Sequence, residues 1–233
     1  MKHIFQLLAI ALIFNCGFSK AQVGAIDNSF LKNDVGFKAT SQFNGEIQQA
    51  LPLRDGKILI AGHFTNYSKW GLTHLARLNA DGTVDSTFIC KEGFYPYSLG
   101  FNDIVELEDS TVILIGSFRQ FNGKSIGNII KLNYDGSLVD DFCKDVGRYG
   151  YLTSIAIQKS DKIIVGGTFS QIYGNEDFSR IARLHKDGSL DTSFNAQIAW
   201  EIGVFPKVND IEISENGTII VGGDFEEVNN SST

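Results

Sequence analysis

The sequence predicts an all-β chain, folded as a β-propeller of four-stranded antiparallel blades, with about four repeats present and the last incomplete. Three observations carry this. Two phrases recur at a period of roughly 50 residues, the mark of an array of supersecondary units. The first phrase reads DGKILIAGHF (55–64), DSTVILIGSF (109–118), SDKIIVGGTF (160–169) and NGTIIVGGDF (216–225). The second reads LNADGTVDSTF (78–88), LNYDGSLVDDF (132–142) and LHKDGSLDTSF (184–194). Next, the runs ILIAG, VILIG and IIVGG are short, β-branched and apolar on both faces, as buried central strands are. Finally, Asp-Gly or Asn-Gly pairs stand between such runs and supply the positive φ that hairpin turns need.

Taken in chain order, the first segment is an export signal. Lys2 and His3 precede an apolar run at 4–14, and Ser19-Lys20-Ala21 sets small residues ahead of a cut near Ala21. A signal peptide at 1–21 follows, too short and wrongly flanked for a transmembrane helix. Lipid anchoring at Cys16 is the rival reading, disfavoured by the bulky Phe14 and Asn15 before it. No other apolar run approaches the length of a membrane span, so no transmembrane segment is expected and the mature protein should be soluble.

Residues 22–233 form the repeats. GAIDNSF, ending at Phe30, reads as a closing strand (22–30), because it matches the end of a repeat. Repeats follow at about 46–88, 102–142, 152–194 and 208–233. The last stops where its third strand should begin, which implies that the native chain continues. In the first repeat the strand-type runs are 49–53, 57–61, 75–78 and 83–88. Asp55-Gly56, Asp81-Gly82, Asp135-Gly136, Asp187-Gly188 and Asn216-Gly217 are expected as two-residue hairpin turns.

Phe64, Phe118, Phe169 and Phe225 fill one column, and Phe30, Phe88, Phe142 and Phe194 another. Together they are eight of the 18 Phe residues, and such regularity points to packing. Arg77, Lys131 and Arg183 form a basic column; Asp27, Asp85 and Asp191 form an acidic one. Across the Asp81-Gly82 turn, Arg77 and Asp85 should meet as a cross-strand ion pair. Cys90 and Cys143 follow the repeat Phe in consecutive repeats. They read as free, partly buried thiols, since equivalent points on neighbouring repeats lie too far apart to bridge.

The pattern DGKIlvgGxF followed by IARLnxDGSLDxSF resembles the delta-60 repeat of bacterial secreted and surface proteins. The third repeat matches best, through IIVGGTF (163–169), RIARL (180–184) and DGSLDTSF (187–194). The second departs, with Val139 for Asp and Ser110-Thr111 for Gly-Lys. The resemblance implies a propeller and export to the medium or the cell surface. It implies no activity, substrate or catalytic residue.

Chemistry is sparse. The net charge of −7, without a basic stripe, argues against nucleic acid. The histidines lack metal-ligand spacing, and DGSLDTSF lacks the ligands of a calcium loop, so no metal and no cofactor is expected. Nucleophile elbows and phosphate loops are absent.

The connections divide unequally. The tight Asp-Gly turns share one side of a meander. The long, unlike connections share the other, and there lie Tyr67, Trp70, Tyr95, Tyr97, Tyr149, Tyr151, Tyr173 and Trp200. Loops on a rigid scaffold carry function. Trp70, Tyr95, Tyr97, Tyr149, Tyr151 and Trp200 are therefore the candidate ligand-binding residues, for a protein or a polysaccharide. The expected function is a secreted binding or scaffolding module rather than an enzyme. A propeller enzyme acting on extracellular glycans is one alternative, with Asp103, Glu106 and Asp210 as its candidate carboxylates. A structural spacer in a larger surface protein is another.

Overall fold

The computed structural model describes residues 45–64, 74–88, 90, 93–95, 100–140, 142–143, 146, 150–176, 178–194, 196, 198–199, 206–228 and 231–232. The chain divides into two compact units, Met1–Phe88 and Ile89–Thr233. The expected signal peptide, closing strand and Phe30 lie outside the described residues.

In the first unit, β1 (Ile47–Pro52), β2 (Ile58–Gly62) and β3 (Leu75–Leu78) form one antiparallel sheet in that order. The central strand, ILIAG, is buried along its whole length. Ile58, Ile60, Phe64, Ala76 and Leu78 make its core, with Ile47, Ala50 and Val84 against them.

The second unit repeats this design. Its strands are β4 (Phe94–Tyr95), β5 (Phe101–Glu106), β6 (Val112–Gly116), β7 (Gln120–Phe121), β8 (Lys124–Ser125), β9 (Ile129–Leu132), β10 (Leu152–Gln158), β11 (Lys162–Gly167), β12 (Ile181–Leu184), β13 (Ile198–Ala199), β14 (Lys207–Ile213), β15 (Ile219–Asp224), β16 (Glu227–Val228) and β17 (Ser231–Ser232). The second repeat is the sheet β5-β6-β9, the third β10-β11-β12, and the fourth the pair β14-β15. β10 lies between β5 and β14, so the first strands of successive repeats are neighbours. The central strand of the third repeat therefore packs on both faces. In the third repeat Ile163 and Val165 join Ile113 and Ile115 of the second. Ile164 joins Val208 and Ile211 of the fourth.

Two expectations are corrected. The fourth run of each repeat is not a ladder strand. It makes one bridge, Leu78 with Val84, Leu132 with Leu138, and Leu184 with Leu190. In the first and third repeats the next Asp fixes the departing chain locally; the second makes the same single bridge with Val139 in that place. Asp85 Oδ1 accepts from Thr87 N (3.0 Å) and Thr87 Oγ1 (2.6 Å), and Phe88 N donates to Asp85 O. Asp191 binds Ser193 in the same way. This local capture competes with the ladder in those two repeats.

The Asp-Gly turns, likewise, are three-residue loops. Leu53 N donates to Lys57 O, and Gly56 N to Leu53 O, enclosing 54–56. Only the Gly has positive φ, between 84° and 89° at Gly56, Gly82, Gly136, Gly188 and Gly217. The Asp stays right-handed because its side chain accepts the N–H two residues on, as Asp81 does from Thr83 (3.0 Å) and Asp187 from Ser189 (2.9 Å).

A bulge recurs in every first strand, after Ile47, Phe101, Leu152 and Val208. Its extra residue is Gln48, Asn102, Thr153 or Asn209. In the second unit this residue reaches the next repeat: Asn102 Nδ2 donates to Leu152 O and Thr153 Oγ1 to Val208 O. The residue after it accepts from the next repeat. Asp103 Oδ2 takes Ile155 N (3.0 Å), and Ser154 Oγ takes Ile211 N (3.1 Å). A polar ladder thus ties consecutive first strands together.

Candidate functional site

The two ends of the repeats are built differently. One end carries the three-residue turns, locked by their own Asp or Asn except at Ser160-Asp161. The other carries small extra sheets. In the second repeat β4, β7 and β8 form a three-stranded antiparallel sheet, joining the connection before the repeat to the one within it. In the fourth, β13, β16 and β17 do the same. The hairpin turns at Asn122-Gly123 and Tyr173-Gly174 have positive φ at both residues, the two-residue type expected at the other end. Phe94, Phe101, Phe118 and Phe121 support the first of these sheets. Phe94 lies 4.9 Å from Phe101, 4.8 Å from Phe118 and 4.9 Å from Phe121, centroid to centroid. Neighbouring repeats are braced at this end too. Asn128 Nδ2 donates to Gly150 O (3.0 Å), and Arg180 Nε to Pro206 O (3.0 Å).

Of the candidate ligand-binding residues, Tyr151 is 57% exposed just before β10. Tyr95 is in β4, paired with Gln120. Trp70, Tyr97, Tyr149 and Trp200 lie outside the described residues, as does Tyr67. The Tyr67 column is filled elsewhere by Phe121 and Ile172, both fully buried. Tyr173 is committed: its hydroxyl donates to Gly188 O (2.6 Å), tying the hairpin to the outer turn. The column Phe64, Phe118 and Phe169 is buried, with Phe225 partly so; Phe88 and Phe142 are buried and Phe194 partly.

The expected ion pair is present and larger than the sequence suggested. Asp85 Oδ2 accepts from Arg77 Nε (2.6 Å) and Lys57 Nζ (2.9 Å). Asp191 Oδ2 accepts from Arg183 Nε (2.9 Å) and Lys162 Nζ (2.8 Å). Burial pushes the Asp85 carboxyl up, but donors on Thr87, Lys57 and Arg77 outweigh it and hold it well below the usual range. Lys162 and Ser193 do the same for Asp191. The guanidinium also lies over a repeat Phe, Arg77 over Phe88 and Arg183 over Phe194, both at 4.8 Å. Sequence reasoning missed this contact. Its signal was the fixed spacing of 11 residues from each basic residue to its Phe.

Asp103 and Asp210 flank Ser154, whose Oγ is 3.4 Å from Asp103 Oδ2 and 3.2 Å from Asp210 Oδ1. Burial raises the Asp103 pKa against its backbone hydrogen bonds, and Asp210 adds to the rise. Both carboxylates also accept the N–H of their own next residue. Glu106 is half-buried opposite Val112 and does not join them in these hydrogen bonds. Among the described residues no group of three His, Cys, Asp or Glu could hold a metal ion. An open depression of about 530 Å³ is lined by Lys162, His185, Lys186, Asp187 and Ser189. Its lysines are already engaged, Lys162 with Asp191 and Lys186 with Asp109 and Asp161. Cys90 and Cys143 are buried thiols that form no disulfide, and burial pushes the Cys143 thiol up to about 12. Among the described residues no helix is long and apolar enough to cross a membrane.

A family model, a domain of unknown function (DUF5122) described as a beta-propeller, matches residues 53–88 and 158–194. These are parts of the first and third repeats. No curated protein matches the chain. Among solved structures, the WD40 beta propeller domain of Doa1 is 16% identical, covers 81% of this chain and aligns with a TM-score of 0.49. Two structures of an extracellular domain from B. thetaiotaomicron, described as belonging to a hybrid two component system or a one component system, are 12% and 13% identical. They cover 77% of this chain, with TM-scores of 0.40 and 0.39. The chain spans 51% of the first of these structures and 20% of the other two. The matched family model and the repeated antiparallel sheets identify the chain as a β-propeller repeat protein.

Proposed function

We propose that this protein is an exported module of the delta-60 type that binds a protein or a polysaccharide through the loop end of its repeats. The observation that carries this is the contrast between the ends. Short turns, all but one self-locked, stand at one. Separate small sheets on a phenylalanine base stand at the other, near which Tyr151 lies exposed. A rigid platform with an exposed aromatic ring suits a sugar face or a protein side chain. The test is a glycan-array and surface-protein screen of the full chain beside Tyr151→Ala and Trp70→Ala/Trp200→Ala variants. Binding lost in folded variants supports the reading. Binding indifferent to all three residues, or none, rejects it in favour of a spacer.

An enzyme acting on extracellular glycans is the second reading, motivated by Asp103 and Asp210 on either side of Ser154. Against it, these groups already hold backbone N–H groups of the ladder. Polysaccharide hydrolysis abolished by Asp103→Asn, with the melting temperature kept, would favour the enzyme.

A further inference from the structure

We infer that the junction between the second and third repeats is a subsite for a carboxylated sugar of an acidic polysaccharide, with Arg119 as the residue that selects it. The inference rests on the loop-end reading proposed above and names its ligand class. Every group involved belongs to the second unit. Neighbouring repeats are braced at this end by the residue just before the third strand. In the third repeat it is Arg180, buried, with its guanidinium spent on Pro206 O and Phe169 O. In the second it is Asn128, also buried, whose Nδ2 donates to Gly150 O (3.0 Å) and completes the brace without a charge. Asn128 Oδ1 then accepts from Arg119 Nη1 (2.7 Å). Arg119 is exposed and stands where the third repeat has Ser170. Its cation does no bracing. Among the described residues its guanidinium makes no further hydrogen bond or ion pair.

Asn128 links this cation to Gly150, and Tyr151 is the next residue. A Cβ on Gly150 would lie 2.5 Å from Phe169 Cα, so the chain passes here only as glycine. Tyr151 N donates to Thr168 Oγ1 (3.1 Å), and Thr168 N donates to Tyr151 O (2.9 Å). The exposed ring is thus carried on a fixed backbone, and its hydroxyl has no partner among the described residues. A held cation and a held ring beside one junction fit a uronate. Its C–H face lies on the ring, and its carboxylate takes two donors of the guanidinium fork. Because Asn128 stations the guanidinium before the ligand arrives, less side-chain freedom is lost on binding. The net charge of −7 does not forbid a polyanion, since exposed charges beyond about 8 Å are screened at physiological salt. A protein partner fits less well. It needs an apolar centre to its interface, and Phe94, Phe118 and Phe121 at this end are buried. Among the described residues Tyr151 is the one large apolar group exposed at this junction.

The experiment measures calorimetric binding of the full chain to polygalacturonate, alginate and hyaluronate at about 0.15 M salt, beside their methyl-esterified forms, neutral dextran and polyglutamate. At least one uronate polymer should bind, and its ester should bind roughly 10- to 100-fold more weakly. Arg119→Gln should weaken the acid form by the same factor and leave both the ester and the melting temperature unmoved. Arg119→Lys should recover only part of the loss, because an ammonium lacks the fork. Tyr151→Ala should abolish binding of acid and ester alike. Equal binding of acid and ester, or uronate binding indifferent to Arg119, overturns the inference; if Tyr151→Ala still abolishes that binding, the loop-end reading stands. Polyglutamate bound through Arg119 in preference to every uronate also overturns it, in favour of an acidic protein. No binding to any of these polymers overturns it too, and the loop-end reading is then decided by the wider screen.

Discussion

The third and second repeats fold alike and are held differently. In the third, a buried Asp191 gathers the partly exposed Lys162 and Arg183, with Ser193, into one pin. In the second every member of the pin is changed: Thr111 for Lys, Lys131 for Arg, Val139 for Asp and Asp141 for Ser. Val139 packs on the apolar core instead. Lys131 lies 5.6 Å from the Phe142 ring and donates to Lys186 O. What survives in both is the cation over the repeat Phe. The pin is therefore one of two ways to hold the outer segment against the third strand. Buried ion pairs and apolar packing are near equivalents when each is complete, and half a pair is worse than either.

The largest expected effect removes what the repeats share. Phe169→Ala, at a fully buried position, should cost roughly 3–5 kcal/mol in urea unfolding. A loss under about 1 kcal/mol would mean that the ring is dispensable to the core. Next comes half a pin. Asp85→Ala strands a nearly inaccessible Arg77 and should cost about 3 kcal/mol. Asp191→Ala should cost less, about 1–2 kcal/mol, because Arg183 and Lys162 are partly exposed and can turn to water. Equal losses at the two sites would remove burial as the deciding variable.

Acid should weaken the pinned repeats, and the second repeat as well through Asp109, whose carboxyl burial pushes up but Thr111 and Lys186 hold below its usual range. The Asp85 and Asp191 carboxyls are depressed in the folded chain, against about 3.9 when unfolded. Their contribution is then complete above the unfolded value and lost as pH falls through the folded one. Melting temperatures between pH 5 and 2 should fall less steeply in an Asp85→Asn/Asp191→Asn variant than in the parent. Parallel curves would show that the pins do not govern acid unfolding.

The smallest effect is at the turns. Ser110 has φ 63° where Gly56 and Gly217 stand in other repeats. Ser110→Gly should be stabilising by up to about 1 kcal/mol, read from the urea midpoint. Asp161 holds the same position at φ 56°, but it accepts from Lys186 Nζ (2.6 Å), so Asp161→Gly should not share the gain.

Much of this was legible in the sequence because repetition averages out local noise. The period, the two Phe columns and the runs ILIAG, VILIG and IIVGG are properties of neighbouring residues, and each survives into the fold. The fate of the fourth strand is not legible, because TVDSTF carries strand-type residues while Asp85 holds a competing local bond to Thr87. Asp-Gly pairs suggest two-residue turns, yet it is Asn122-Gly123 and Tyr173-Gly174 that hold that geometry. A dipeptide does not reveal whether its Asp side chain is free. The site was legible only as an end of the molecule. The chain shows where the loops are long and aromatic; it does not show that Tyr173 is spent on Gly188, or that Phe121 joins a small sheet with its ring packed on Phe94.

The sequence by itself determined the first three strands of each repeat, their chain order and the burial of the central one, since these follow from residue type and period. Tertiary structure alone decided how one repeat reads the next. The donor at Asn102 and the acceptor at Asp103 find partners in the following repeat, 50 and 52 residues away. No local pattern encodes that pairing, because it exists only once a bulge has turned two polar side chains toward a strand that packing has brought alongside.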